Sequence, residues 1–156
     1  MAVSKLFLSA VLGVLVSGSV LAQAPTPEER AATAVDTRKS AVKLLRFSIV
    51  PMIGMARGMV PMDTEVVEKS AMRIAQVGAM LEDVFRMDTR EFDIETEALD
   101  VIWEKPDDFS EKANDLITRA NALAEIAATG DEDATKKAIG ALGQGCGGCH
   151  DDFRED

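Results

Sequence analysis

From Thr26 onward, apolar residues recur at helical spacing. Val35, Val42, Leu45, Ile49 and Met52 are separated by seven, three, four and three residues, a seam that faces a partner helix. Thr26-Pro27-Glu28-Glu29 predicts the start, with Thr as N-cap, Pro at N1 and Glu at N3. Pro51 should kink this helix without ending it, and Gly58 and Pro61 should stop it. A second helix is predicted from Asp63 and Thr64, with Val67, Ile74, Val77, Leu81 and Val84 as its seam. An acidic linker follows, roughly Arg86 to Pro106, with a helical turn expected around Trp103. Asp108 and Glu111 fit a capping box for the third helix. Its seam is Phe109, Ala113, Leu116, Ala120, Leu123 and Ala127, and Gly130 ends it as a C′ residue. The fourth helix is predicted from near Asp131, with Ile139, Leu142, Cys146, Cys149 and Phe153 on one face. No strand pattern competes, so the fold class is all-α: an antiparallel four-helix bundle.

The segment before this bundle has a different pattern. Lys5 precedes an apolar stretch, Leu6 to Leu21, that ends in Ala22-Gln23-Ala24 and Pro25. These are the n-region, h-region and cleavage site of a secretory signal. The alternative, a membrane anchor, would need about 20 apolar residues. Residues 1–24 are therefore read as a cleaved signal peptide and 25–156 as the mature domain, with a bacterial periplasm as the destination. No other segment is apolar enough to span a membrane, so no membrane association is expected after cleavage.

Composition then excludes several functions. The chain of 156 residues has 17 Lys+Arg against 27 Asp+Glu, a formal net charge of −10, and no basic cluster. A nucleic-acid partner is not expected. One histidine excludes a multi-histidine metal site, and two cysteines make no disulfide scaffold. No catalytic constellation is assigned, and the protein is not expected to be an enzyme.

The candidate chemistry lies in Cys146-Gly147-Gly148-Cys149-His150. Two thiols three residues apart can reach the two vinyl groups of one porphyrin edge, and the adjacent imidazole can ligate the iron. The two glycines would let the porphyrin edge approach the backbone. A thioredoxin-like dithiol would need a βαβ context. A disulfide across three helical residues would be strained, and a zinc site would lack a fourth protein ligand. One covalent haem c is therefore expected, with thioethers to Cys146 and Cys149 and His150 as axial ligand.

The whole mature chain resembles the cytochrome c′ family. The haem motif lies at the C-terminal end of the last helix and runs on as Asp151-Asp152-Phe153-Arg154. Arg38 stands in Thr37-Arg38-Lys39-Ser40-Ala41-Val42, where the family has Arg. Val101-Ile102-Trp103 leads to Phe109 as in the family. The resemblance implies a periplasmic four-helix bundle, often a homodimer, with a high-spin, five-coordinate iron that binds nitric oxide and carbon monoxide. It implies electron transfer or nitric-oxide binding as the physiological role. Lys39 stands where the family often has Gln, which bears on hydrogen bonding at a propionate. The redox partner stays unnamed, and an apolar outer face on the first two helices leaves monomer and dimer both open.

Several positions carry further expectations. Arg38 occupies a seam position, where an unpaired guanidinium is too costly to be filler. The resemblance implies a haem propionate as its partner; the alternative is a frayed seam with Arg38 in water. The resemblance places Val42 on the distal side of the haem, where a valine cannot coordinate. Arg154 follows His150 by four residues. The resemblance implies a place near the proximal face; the alternative is a solvated arginine balancing Asp151, Asp152, Glu155 and Asp156. Met52, Met55, Met59 and Met62 are expected to fill core, since Met52 is about 15 Å along the helix from Val42. Phe153 should pack in the core, Phe85 line the haem pocket and Trp103 close the linker. The competing functions are a low-spin, six-coordinate electron carrier and a haem-free thiol–disulfide protein.

Overall fold

The computed structural model describes residues 24–155. The signal-peptide reading of residues 1–24 therefore falls, but for Ala24, outside the described residues. Six helices follow in order: α1 (Pro27–Ala56), α2 (Thr64–Gly78), α3 (Leu81–Phe85), α4 (Val101–Glu104), α5 (Pro106–Ala127) and α6 (Glu132–Phe153). The four long ones form the antiparallel bundle. α2 packs chiefly on α5, α5 on α6 and α1 on α2, while α3 joins α1 to the linker side. Among the described residues there is no strand, only an isolated bridge between Ala98 and Arg154. No described helix is long and apolar enough to cross a membrane.

The helix starts follow from local chemistry. The Thr26 hydroxyl accepts from the Glu29 amide while the Glu29 carboxylate accepts from the Thr26 amide, a complete capping box. Asp63 caps α2 through the Val66 amide, and Asp131 caps α6 through the Ala134 amide. α1 continues through Pro51 and ends at Ala56, where Gly58 turns the chain with φ 71°. One start differs from expectation. α5 begins at Pro106, two residues before Asp108, with Lys105 at its cap and no side-chain cap bond. Proline at the first helical position has no N–H to satisfy and a preset φ, so it displaces the Asp108 capping box.

The core has two parts. The larger joins Met52, Val67, Ile74, Leu123, Ile139 and Leu142 with alanines of α2 and α5. Met52, Ile74, Leu123 and Leu142 are fully buried, each contributing about 2 kcal/mol of transfer free energy. The smaller part joins Leu81, Ile102, Phe109, Ala113 and Phe153. α2 and α5 approach closely at Gly78, where a Cβ would lie 3.0 Å from Ile117. α6 depends on its contacts with the other helices, because Gly140, Gly143, Gly145, Gly147 and Gly148 weaken its own propensity. Each costs about 1 kcal/mol relative to alanine in a helix interior.

The α1 seam corrects one expectation. The buried residues are Ala31, Val35, Arg38, Ala41, Ser48 and Met52, with Leu45 and Ile49 partly covered. Val42 is 42% exposed. On a 3.6-residue period Val42 lies only about 20° round the helix from Val35, so it keeps the seam's direction, but the protein leaves its side chain partly uncovered.

The methionine run corrects another. Met52 is fully buried, and Met55 and Met62 pack against the larger core. Met59 does not fill core: it follows the end of α1, in the turn at Gly58, and stands exposed.

Candidate functional site

Cys146, Cys149 and His150 lie in the C-terminal half of α6. Both cysteines are free and half-buried. Cys149 packs against the smaller core, beside Phe109, Phe153, Phe85 and Leu45. Burial pushes both thiols up; at Cys149 the Lys112 ammonium pulls the other way and is outweighed. A reactive dithiol needs its thiolate stabilised, so this environment does not suit thiol–disulfide exchange. Neutral thiols against an apolar wall fit thioether attachment to a flat, apolar macrocycle. Partial burial first, and then the Arg154 cation, hold the His150 imidazole below its ordinary pKa. The neutral imidazole, the form that can ligate iron, is favoured.

The glycines of the motif face different ways. A Cβ at Gly147 would meet nothing within 4 Å, so the backbone there is open to close approach. Gly148 instead faces α5: its carbonyl accepts from Lys112 Nζ at 3.1 Å.

Arg38 is 3% exposed, so the reading of a frayed, solvated seam is excluded. Its Nε donates to the Val84 carbonyl at 3.0 Å and its Nη1 to the Thr89 hydroxyl at 2.8 Å. Nη2 donates to the Met87 carbonyl. The guanidinium also lies over the rings of Phe85 and Trp103. Three of its five N–H groups are thus engaged by the segment at the end of α3 and after it, and two remain for another acceptor such as a propionate. Burial lowers its pKa and Asp88 opposes that, which leaves the guanidinium charged. Lys39 donates to the Glu95 carbonyl at 2.8 Å, so it binds the linker.

Val42 is one turn from Arg38 and three residues before Leu45, which touches the same small core as Cys149. Its apolar side chain is 42% exposed.

Arg154 departs from expectation. α6 ends at Phe153, and Arg154 is its C-cap with extended backbone, φ −131° and ψ 141°. Its amide still donates to the His150 carbonyl at 3.1 Å, but its extended backbone does not continue the helix. The guanidinium pairs with Glu97 at 2.9 Å, yet it stays close enough to bias the imidazole. It is thus solvent-exposed, as one reading expected, with Glu97 as its ion-pair partner.

The aromatic residues assemble around this region. Phe85 and Phe109 meet at 5.0 Å between ring centres, and Phe109 meets Phe153 edge-on at 5.3 Å. Phe153 is buried. Trp103 donates its indole N–H to the Phe85 carbonyl at 2.8 Å, which ties α4 to the end of α3. The methionines of α1 and the turn after it lie elsewhere. Met55, Met59 and Met62 line a cleft with Glu132, Asp133 and Lys136 at the start of α6, about 20 Å along that helix from Cys146.

Two residues at the motif have no signal in the sequence, Lys112 and Arg119. Both project from α5 onto α6, a cross-helix register that no local pattern encodes.

The sequence profile of the family described as Cytochrome C' matches residues 33–154. A cytochrome c′ of Halomonas halodenitrificans is 32% identical over 127 residues, covering 79% of this chain and 96% of that protein. A cytochrome c′ of Rhodocyclus tenuis is 60% identical over 32 residues, which spans 20% of this chain and 24% of that protein. The structure of the cytochrome c′ of Shewanella frigidimarina superposes with a TM-score of 0.73 at 30% identity, covering 81% of this chain and 97% of that one. The nitric oxide complex of a point mutant of the Alcaligenes xylosoxidans cytochrome c′ superposes with a TM-score of 0.71 at 25% identity, covering 81% of this chain and 97% of that one.

Proposed function

The chain belongs to the cytochrome c′ family, and from that premise we propose that it binds small diatomic gases, nitric oxide and carbon monoxide, at a five-coordinate haem iron. It carries one covalently attached haem c, as the family does. When bound, the haem supplies a redox-active iron that takes diatomic ligands. Cys146 and Cys149 hold it by thioethers, and His150 is its one protein ligand. Arg38 holds a propionate with the two N–H groups its loop contacts leave over, and Val42 limits access on the other side. Arg154 biases His150 toward its neutral form. The role is binding, electron transfer or both, without enzymatic turnover.

One observation carries this reading. The chain has a single histidine, and the methionine cleft lies about 20 Å along α6 from the motif. Met55, Met59 and Met62 are thereby set apart from His150. Titrating the reduced protein with carbon monoxide, and the oxidised protein with cyanide, tests it. A large spectral change with carbon monoxide and weak cyanide binding support an apolar open site. No response to carbon monoxide contradicts it.

The same proposal puts the protein in the periplasm after cleavage at residue 24, with no nucleic-acid partner. It includes a homodimer through the outer face of α1, where Leu44, Phe47 and Val50 are exposed beside a groove that also includes Lys43, Arg46 and Pro51. Sedimentation of the haem-loaded protein tests the dimer; a monomer at all concentrations contradicts it.

A further inference from the structure

α5 and α6 run antiparallel, and two cations of α5 reach the backbone of α6. Lys112 Nζ donates to the Gly148 carbonyl at 3.1 Å, and Arg119 Nη1 donates to the Ala141 carbonyl at 3.1 Å. Lys112 and Arg119 are seven residues apart, and so are Ala141 and Gly148. The two contacts are therefore one register, repeated after two helical turns. Each cation also has an acidic partner. Lys112 pairs with Asp152 at 2.9 Å, and Arg119 Nε pairs with Asp115 at 2.6 Å. A carbonyl has two lone pairs, so it can serve the helix ladder and a side-chain donor together.

The span between these two points is the weakest stretch of α6. It holds Gly143, Gly145, Gly147 and Gly148, and it leads directly into Cys149 and His150. Lys112 binds the carbonyl two residues before His150 and the carboxylate two residues after it. Gly145 is required for the approach: a Cβ there would lie 2.8 Å from Arg119 Cδ and 3.1 Å from its Nε. Arg119 cannot swing aside freely, since Asp115 and Ala141 both hold its guanidinium.

We infer that Lys112 and Arg119 are positioning residues that clasp the glycine-rich half of α6 to α5, and so fix the direction in which Cys146, Cys149 and His150 present themselves to the haem. The inference rests on the haem reading for its consequence, and on the two helices alone for its geometry. Charge-assisted hydrogen bonds to backbone do here what side-chain packing cannot, because the glycines supply no side chains to pack. Arg119 sets the end at Ala141, and Lys112 sets the end that bears His150.

Hydrogen exchange of the haem-loaded protein tests the geometry, and the iron–histidine stretching band of the reduced protein tests the consequence. In Lys112→Met/Arg119→Met, amides of residues 141–152 should exchange about tenfold faster than in the parent, with the amides of α1 and α2 unchanged. The iron–histidine band should shift or broaden in Lys112→Met, whereas Lys112→Arg, which keeps the charge and the donors, should leave it at the parent position. Gly145→Ala keeps both cations but displaces Arg119; because alanine itself strengthens a helix, it is compared with Gly143→Ala, where an added Cβ meets nothing within 4 Å, and it should exchange the faster of the two even if the double variant folds poorly. Unchanged exchange over 141–152 in both single variants, with Gly145→Ala no faster than Gly143→Ala, overturns the clasp. So does an acceleration spread evenly over all helices. Faster local exchange with an unmoved iron–histidine band overturns the positioning role. Absence of any haem band in the parent would instead contradict the haem reading, and the exchange result would still decide the clasp.

Discussion

The guanidinium of Arg38 lies 4.9 Å from the centre of the Trp103 ring. The two residues are far apart in sequence, and the folding of the linker brings them together. Trp103 is held to the Phe85 carbonyl, and Arg38 holds Val84, Met87 and Thr89. One arginine of α1 thus fixes the segment that closes the small core beside Cys149.

Arg38→Leu should therefore have two effects. It leaves Val84, Met87 and Thr89 without their donor, and stability should fall by about 3 kcal/mol in denaturant unfolding. It also removes a positive charge proposed to lie at a propionate, so the reduction potential should fall, since the ferric state is then favoured. Loss of stability with an unchanged potential at several pH values would leave Arg38 a loop clamp and remove the propionate from its role.

Val42 offers a cleaner probe of the iron, because the protein itself leaves it 42% exposed. Val42→Ala should change stability by no more than about 0.5 kcal/mol, while carbon monoxide binds faster. Val42→Met should tend toward a six-coordinate, low-spin iron that excludes gas. Stopped-flow mixing of the reduced variants checks both. Equal carbon monoxide rates in the parent and Val42→Ala would remove Val42 from the distal side.

Replacing both Cys146 and Cys149 with Ala should leave any haem extractable by acid–acetone, whereas the parent should retain it. Haem that stays with the polypeptide of the double variant would contradict thioether attachment at these positions.

Much of the fold and the site is legible in the sequence, for physical reasons. Thr26, Pro27 and Glu29 form a local cap, and the Phe109–Ala127 repeat is a local periodicity. Both are properties of neighbouring residues, and both appear in the structure. Cys146, Cys149 and His150 are legible because their chemistry requires a fixed spacing. Arg38 is legible as a buried charge on an apolar seam, but its partners are not, because Val84, Met87 and Thr89 lie where α3 gives way to an irregular loop. Val42 keeps the seam's direction, about 20° round the helix from Val35, yet the protein leaves it partly uncovered, and only the packing of neighbouring elements decides that. Arg154 escapes the pattern because the last helical residue decides whether a four-residue spacing means one face. Lys112 and Arg119 depend on the register between two helices, and no single segment encodes that.

The decisive quantity is the spin state of the reduced protein, read from its visible and resonance Raman spectra before any gas is added. A high-spin, five-coordinate iron ligated by His150 alone is expected, converting to a six-coordinate adduct when carbon monoxide is introduced. A low-spin, six-coordinate iron in the absence of added ligand would refute gas binding at an open iron and assign the protein to the electron carriers of this fold.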